Sequence, residues 1–290
     1  MEGLAMKVAI IGAGAIGKLL ASYYAKQHEV TLVTRRQAQA DAITAHGITK
    51  ISEAGTIKYN VRATTTLPSA DIYLVTVKYH HLQAIQPLLA QVATTLVFLQ
   101  NGLAHQAFAE QFSCDVVIGT LTTGAETKDE TTVYERGRGV MKIAAAKEQV
   151  IWQLNQQDLP LVQADSTEVL WQKAMINSLI NPLTALLNLT NGELISNTYA
   201  YQLMQMIYQE LIEAFPEKKH LLVFEDVVQL CHNTAKNTSS MRADFLAERK
   251  SELATIVGEI VAEAAAKQCQ LPTLQTVYYA LLAIEERRSK

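Results

Sequence analysis

Lys173, Asn177 and Asn181 recur at every fourth position of an otherwise apolar stretch, EVLWQKAMINSLINPLTALLNLTNGEL, running from Glu168 to Leu194. On a helix such positions share one face. Ala174, Met175, Ile176, Leu179 and Ile180 make the rest of the surface apolar, so that face is not simply the solvated one. Buried polar groups need partners, supplied by the protein or by a ligand. A positioned ammonium stabilises negative charge growing on oxygen and can deliver a proton. Carboxamides donate and accept without competing for that proton. Pro182 removes one amide donor and leaves the Ser178 carbonyl without its usual helical partner. That predicts a kink, with freed backbone groups beside Asn181 that suit a ligand. A buried helix with a purely structural polar stripe accounts for the same spacing.

The second chemical signal is Gly12-Ala-Gly14-Ala15-Ile16-Gly17. The apolar, β-branched run Lys7 to Ile11 precedes it and a helical pattern from Lys18 to Lys26 follows. G-x-G-x-x-G between a strand and a helix predicts a dinucleotide seat. Gly12 permits the tight turn, Gly14 lets the backbone approach a pyrophosphate, and Gly17 allows close helix–strand contact. The amides through Ala15 and Ile16 lie at the positive end of the helix, where phosphates bind. The next strand, Glu29 to Thr34, ends in Thr34-Arg35-Arg36 rather than on a carboxylate. Guanidinium groups pair well with phosphate, so NADP is the expected cofactor and Arg35 its partner. The alternative is a pair of solvated arginines at a sheet edge. Lys78 ends the buried run Asp71 to Val77, and Asn101 follows the strand Thr95 to Leu99 within Gln100-Asn101-Gly102. Carboxyl edges of open α/β sheets face ligands, so Lys78 and Asn101 are placed at one crevice. A plain Asn-Gly turn also explains Asn101. His80 and His81 are adjacent and cannot share a helix face; they read as surface or crevice-edge residues, and no metal is expected.

These residues need two kinds of scaffold. The alternation of short apolar strands and helical segments predicts an α/β chain: a Rossmann-type, doubly wound sheet over residues 1–165 and an all-α domain over 166–290. Within the first, Gly47 to Thr66 predicts short antiparallel strands beside the parallel sheet. Tyr79 to Val92 predicts a helix with an irregularity at Pro87, and Asp115 to Gly119 a strand. Leu121 to Ala146 predicts a hairpin with a Gly137-Arg-Gly139 turn. Past residue 165 glycines become rare, and helices are expected over Tyr199 to Phe215, His220 to Lys236, Glu252 to Lys267 and Thr273 to Arg287. The polar break Asn237-Thr-Ser-Ser240-Met241 fits a helix N-cap loop or a functional role. Glu252, in a first turn, is explained by the helix dipole alone.

With 290 residues, 49% hydrophobic and 18% charged, the chain can fill one large core or two ordinary ones. A net charge of −3 gives no broad pull toward nucleic acid. Cys114, Cys231 and Cys269 are odd in number and far apart, matching neither a disulfide framework nor a metal spacing; a reducing cytoplasm is the simplest setting. No apolar run has the length of a membrane span, and the glycine-interrupted N-terminus is not a secretory signal. Met1 to Ala5 reads as an extension before a start at Met6. The apolar C-terminal helices would serve either a homodimer interface or an interdomain one.

Taken together, these residues resemble the ketopantoate reductase (2-dehydropantoate 2-reductase) family over nearly the whole chain. The most specific part is Lys173-x-x-x-Asn177-x-x-x-Asn181-Pro182-Leu-Thr184 followed by Asn191-Gly192-Glu193. Gly12-x-Gly14-x-x-Gly17, Gln100-Asn101-Gly102, Asn237-Thr-Ser-Ser240-Met241 and Ser251-Glu252-Leu253 add to it in the same order. The resemblance implies a Rossmann domain and a helical domain with the site in the cleft between them. It implies reduction of the keto group of 2-dehydropantoate to (R)-pantoate with NADPH, on the route to pantothenate and coenzyme A. Lys173 would be the general acid, with Glu252 supporting and orienting it. Asn177, Asn181 and Ser240 would bind the hydroxyl and carboxylate ends of the substrate, with Asn191 in the same set. Asn101 would touch both substrate and nicotinamide, and Lys78 and Arg35 would hold the cofactor. His81 stands where the family often has Gln, and Lys267 to Leu274 lacks the Gly and Asn usually flanking the proline, here Pro272. Two other readings share these residues: a reductase of another branched 2-oxo acid, and a non-catalytic NADP-binding sensor.

Overall fold

The computed structural model describes residues 5–288; the proposed N-terminal extension, but for Ala5, lies outside them. Contacts divide the chain into two compact units. One runs through Gln100 and resumes over His105–Ser166. The other comprises Asn101–Ala104 and Thr167–Lys290.

The first unit is built on an eight-stranded sheet. Its strands are β1 (Lys7–Ile11), β2 (Glu29–Val33), β5 (Arg62–Thr64), β6 (Ile72–Val75), β7 (Thr95–Phe98), β8 (Asp115–Leu121), β11 (Met141–Ala144) and β12 (Leu161–Gln163), in the order β12-β11-β8-β7-β6-β1-β2-β5. From β5 to β8 the pairings are parallel; β11 pairs antiparallel with β8 and parallel with β12. The sequence dictates this arrangement through burial. All four residues of β6 and of β7 are buried, as befits strands covered on both faces. Alternate residues separate into two cores. Val8, Ile10 and Leu74 join Leu19, Leu20, Tyr23 and Tyr24 of α1 (Ala15–Tyr24) on one face. Ala9, Ile11, Val75 and Phe98 join Leu82 and Leu89 of α3 (Leu82–Leu89) and Phe108 of α4 (His105–Ala109) on the other. The remaining helix, α2 (Gln37–His46), follows β2. β1 is flanked by β2 on one side and β6 on the other, the switch point at which doubly wound sheets bind ligands.

A second sheet, β4-β3-β10-β9, contains β3 (Ile48–Ser52), β4 (Gly55–Tyr59), β9 (Gly124–Thr127) and β10 (Thr132–Gly137). Two expectations are corrected here. The antiparallel pair β3/β4 joins β10 in its own sheet, whereas β5 extends the main sheet in parallel with β2. The β9/β10 hairpin turns at Lys128–Thr131; Gly137-Arg-Gly139 instead carries the chain from one sheet to the other. Gly139 is needed there, since a Cβ would meet Thr122 atoms at 2.5 to 2.6 Å. α1 contacts both sheets. Between them Glu135 is buried with Lys50, 2.9 Å away, and accepts a hydrogen bond from the Tyr23 hydroxyl at 2.6 Å. These partners hold the Glu135 carboxyl below its usual range against the opposing cost of burial.

The regular structure of the second unit is helical throughout its described residues. Its helices are α5 (Ser166–Leu187), α6 (Asn191–Ser196), α7 (Thr198–Ala214), α8 (Phe224–Asn233), α9 (Ser240–Leu246), α10 (Glu259–Ala266) and α11 (Pro272–Arg288). Local chemistry sets the boundaries. Thr190 and Glu193 form a reciprocal capping box on α6, and Asn197 accepts from the amides of Tyr199 and Ala200 at the start of α7. The helix expected from Glu252 begins instead with one π-type turn, Ala254–Gly258, before α10. α5 continues through Pro182 as one 22-residue helix. Leu170, Ala174, Met175, Leu179 and Leu183 are buried along it, which offsets the lost hydrogen bond. No helix among the described residues is long and apolar enough to cross a membrane.

Candidate functional sites in the two units

The glycine turn in the first unit is shaped by contacts that leave no room for side chains. Gly12 adopts φ +113°, and a Cβ there would meet the Val77 amide at 3.0 Å; a Cβ on Gly17 would lie 1.8 Å from the Gly12 carbonyl oxygen. The Gly12 amide donates to Val33 at 2.9 Å, while the Thr76 hydroxyl lies within 3.1 Å of the Ile11 and Gly12 carbonyls. Gly14 differs: it is the exposed N-cap of α1, and a Cβ would find open space. No side chain caps this helix, and its first turn holds no acidic residue. The helix start at Gly14, Ala15 and Ile16 therefore opens on space rather than on a side chain, as an anion seat at a helix N-terminus requires. The residues present fit a pyrophosphate.

At the end of β2, Thr34 donates its hydroxyl to the Arg36 carbonyl at 2.9 Å and fixes the turn into α2. Arg35 is exposed and has no ion-pair partner among the described residues. Arg36 pairs with Glu130 at 2.6 Å. Lys78 is half-buried at the head of a 3₁₀ turn, Tyr79–His81. The rings of His80 and His81 stack edge to face at 4.2 Å. No cluster of His, Cys, Asp and Glu that could hold a metal occurs among the described residues.

In the second unit, Lys173 is half-buried on α5. Burial pulls its pKa from the usual 10.5 to about 8, with the Glu252 carboxylate opposing that fall. Glu252 accepts a hydrogen bond from the Asn101 carboxamide at 3.1 Å. Gly102, at φ +83°, lies so close to the π-type turn that a Cβ would sit 2.1 Å from the Thr255 carbonyl oxygen. Lys173, Glu252 and Asn101, far apart in sequence, are thus gathered. Asn177 is half-buried and Asn181 is 6% exposed. Neither carboxamide has a hydrogen-bond partner among the described residues, so their polar capacity remains available to a ligand.

The loop before α9 joins this group through a residue that spacing did not single out. Ser239 is the N-cap, accepting from the Arg242 amide, and its hydroxyl meets that of Thr184 at 2.7 Å. Thr184 in turn donates toward the Ile180 and Asn181 carbonyls at 2.8 and 3.0 Å. This ties the loop to α5 beside Asn181 and leaves Ser240 exposed on the first turn of α9. Asn191 is buried, donating its side-chain amide to Thr234 at 2.9 Å, while its backbone amide donates to the Asn237 carbonyl. Its position fixes the loop that carries Ser240. The signals that could have found Ser239 and Gly102 were the cap-forming Ser pair and the Asn-Gly dipeptide, but not their distant partners.

Sequence comparison reaches both units. The ketopantoate reductase PanE/ApbA family matches residues 8–148, and the family's C-terminal domain matches 165–285. A 2-dehydropantoate 2-reductase of Bacillus subtilis is 32% identical over 296 aligned residues, covering 98% of this chain and 99% of that protein. The crystal structure of the probable 2-dehydropantoate 2-reductase panE from Bacillus subtilis is likewise 32% identical, covers 96% and 100% of the two chains, and superposes with a TM-score of 0.82. D-mandelate dehydrogenase with NADH and anilino(oxo)acetate shares the fold at a TM-score of 0.85 and 21% identity, over 98% and 100% of the chains. A dimeric ketopantoate reductase from Staphylococcus aureus shares it at 0.74 and 22%, over 97% and 99%. Because the matches run through the glycine turn and the Lys173 helix alike, and the fold agrees throughout, this chain belongs to the ketopantoate reductase family and is an oxidoreductase.

Proposed function

We propose that this chain reduces 2-dehydropantoate to (R)-pantoate with NADPH, in the cytoplasm, as a step toward pantothenate and coenzyme A. The observation that carries the reading is the Lys173 ammonium, brought close to neutral pH by burial and backed by the Glu252 carboxylate. A general acid works best with a pKa near the operating pH. NADPH, when bound, supplies the hydride for the keto carbon. Gly12, Gly14, Ala15, Ile16 and Gly17 hold its phosphates, with Arg35 on the 2′-phosphate and Lys78 as a second contact. Lys173 donates a hydrogen bond to the keto oxygen, stabilises the negative charge that develops there and passes it a proton. Glu252 keeps the amine charged before that transfer and oriented during it. Asn101 holds Glu252 and reaches the substrate and nicotinamide. Asn177, Asn181 and Ser240 bind the hydroxyl and carboxylate ends of the substrate, and Asn191 shapes the loop they depend on. The partner is a small 2-oxo acid, with self-association into a homodimer as part of the same reading.

The test is consumption of NADPH with 2-dehydropantoate, run beside NADH and beside a panel of other branched 2-oxo acids. The reading expects 2-dehydropantoate with NADPH to give the highest catalytic efficiency. A higher value for another 2-oxo acid would assign a related reductase, since a methyl's difference in an apolar pocket is worth only about 1–3 kcal/mol. No oxidation with any 2-oxo acid would leave a nicotinamide-binding sensor.

A further inference from the structure

The Arg36–Glu130 ion pair differs from an ordinary surface contact in how its acid is held. Glu130 sits in the β9/β10 turn, and both flanks of that turn are fastened to α1, the helix that begins at the glycine turn. The Lys18 ammonium, fully buried, donates to the backbone carbonyls of Asp129 and of Thr132, the latter at 3.2 Å. Within the turn, the Asp129 carboxylate accepts from the Thr131 amide at 2.9 Å and from its hydroxyl at 3.2 Å. Glu130 therefore stands at a fixed point at the carboxyl end of β2, with its carboxylate 2.6 Å from the Arg36 guanidinium. Arg36 is the residue after Arg35 and caps α2. Both partners are substantially exposed, at 57% and 43%, so the pair is open to exchange with a solvent-borne anion.

This inference rests on the reading that Arg35 receives the 2′-phosphate of NADPH. We infer that Glu130 sets the cofactor preference of this chain: its carboxylate occupies Arg36 and lowers the local positive charge, weakening discrimination for the phosphate. Two guanidiniums would otherwise meet a dianionic group. With Glu130 in place, one is neutralised and a carboxylate stands beside the seat. The acid thereby holds the NADPH preference below what the Arg35-Arg36 pair would give. The buried Lys18 makes that effect rigid, because the turn cannot swing away to relieve the repulsion.

The test compares Kd for NADPH and NADH in the full-length protein at low salt, by nicotinamide fluorescence. Glu130→Gln should lower the Kd ratio of NADPH to NADH by about two- to fivefold, the range expected for one exposed charge. Glu130→Lys should lower it further, and both effects should shrink in about 0.5 M salt, where screening is strong. Arg36→Gln should raise the ratio by leaving Glu130 unneutralised, and adding Glu130→Gln should reverse that rise. Arg35→Gln separates the two levels of the argument. If it raises the ratio while both Glu130 variants leave the ratio unmoved, the role of Glu130 is overturned and the cofactor reading stands. If Arg35→Gln also leaves the ratio unmoved, the cofactor reading and this inference fall together.

Discussion

Lys18 on α1, fully buried, and Lys173 on α5, half-buried, have ammonium groups pulled by desolvation from 10.5 to about 8, yet their surroundings differ. Lys18 is held by backbone, and the Asp129 and Glu130 carboxylates oppose the fall in its pKa. Its donors meet the carbonyls of Asp129 and Thr132, and it fastens a hairpin to the dinucleotide helix. Lys173 is opposed by a side chain, Glu252, itself held by Asn101. Its surroundings include the carboxamides of Asn177 and Asn181 along the same helix, which have no hydrogen-bond partners among the described residues. A depressed pKa therefore does not by itself identify a catalytic group; the hydrogen-bonding capacity left beside it must be read as well. Carbonyls fixed by a sheet can only hold a proton donor in place. The helix that carries Lys173 instead offers the carboxamides of Asn177 and Asn181 to a ligand, which is what the proposed proton donor needs beside it.

The largest effect that would break this comparison is on turnover. Lys173→Ala should lower kcat by about 10²- to 10⁴-fold while NADPH titrates normally; near-normal kcat would remove Lys173 from proton transfer. The next contrast lies within the glycine turn. Gly17→Ala places a Cβ against the Gly12 carbonyl and should cost about 1–3 kcal/mol in a denaturant melt, as overpacking of a tight contact does. Gly14→Ala fills only open space, so its main effect should be on the phosphate seat: about tenfold or more in NADPH Kd, with about 1 kcal/mol from the poorer N-cap. Equal behaviour of the two variants in both measurements would contradict the assignment of the opening at Gly14.

The smallest effect concerns Lys18 and the pH dependence of stability. Its folded pKa lies below the unfolded value of 10.5, so between about pH 8 and 10.5 the unfolded chain binds more protons. Stability therefore rises with pH through that window, and the penalty is fully present below pH 8. Other groups share the range: the thiol of Cys231, raised to about 11 by burial, acts with the opposite sign above pH 9. A difference experiment isolates Lys18. Relative to the unmodified chain, Lys18→Met should flatten the slope of unfolding free energy between pH 8 and 10 by at most about 1.4 kcal/mol per pH unit. An unchanged slope would mean that the ammonium is not desolvated.

What could be read from sequence divides along the same line. The glycine turn was legible because its spacing is carried by a strand, turn and helix adjacent in the chain, although the contact that crowds Gly12 comes from Thr76 and Val77. The stripe on α5 was legible because a period of four survives any packing. Lys18 opened a helical pattern and attracted no attention, since its partners lie 111 and 114 residues away. Asn101 and Glu252 were each noticed, but local explanations, a turn and a helix dipole, competed until the 151-residue gap closed in space. Gly137-Arg-Gly139 was read as a hairpin turn because its composition is that of one. A change of sheet needs the same small residues, and only tertiary pairing tells the two apart. The π-type turn after Glu252 left no periodic signature, being a single register slip in an apolar helix.

The central claim is that the ammonium of Lys173 is the acid and that Glu252 keeps it charged. It is tested most directly by the pH dependence of single-turnover NADPH oxidation with saturating 2-dehydropantoate, in the unmodified chain and in Glu252→Gln. The rate should fall as pH rises through about 8, where Lys173 loses its proton, and without the opposing carboxylate the fall should begin at lower pH. A rate flat from pH 7 to about 10, or a descending limb that Glu252→Gln leaves in place, would contradict it.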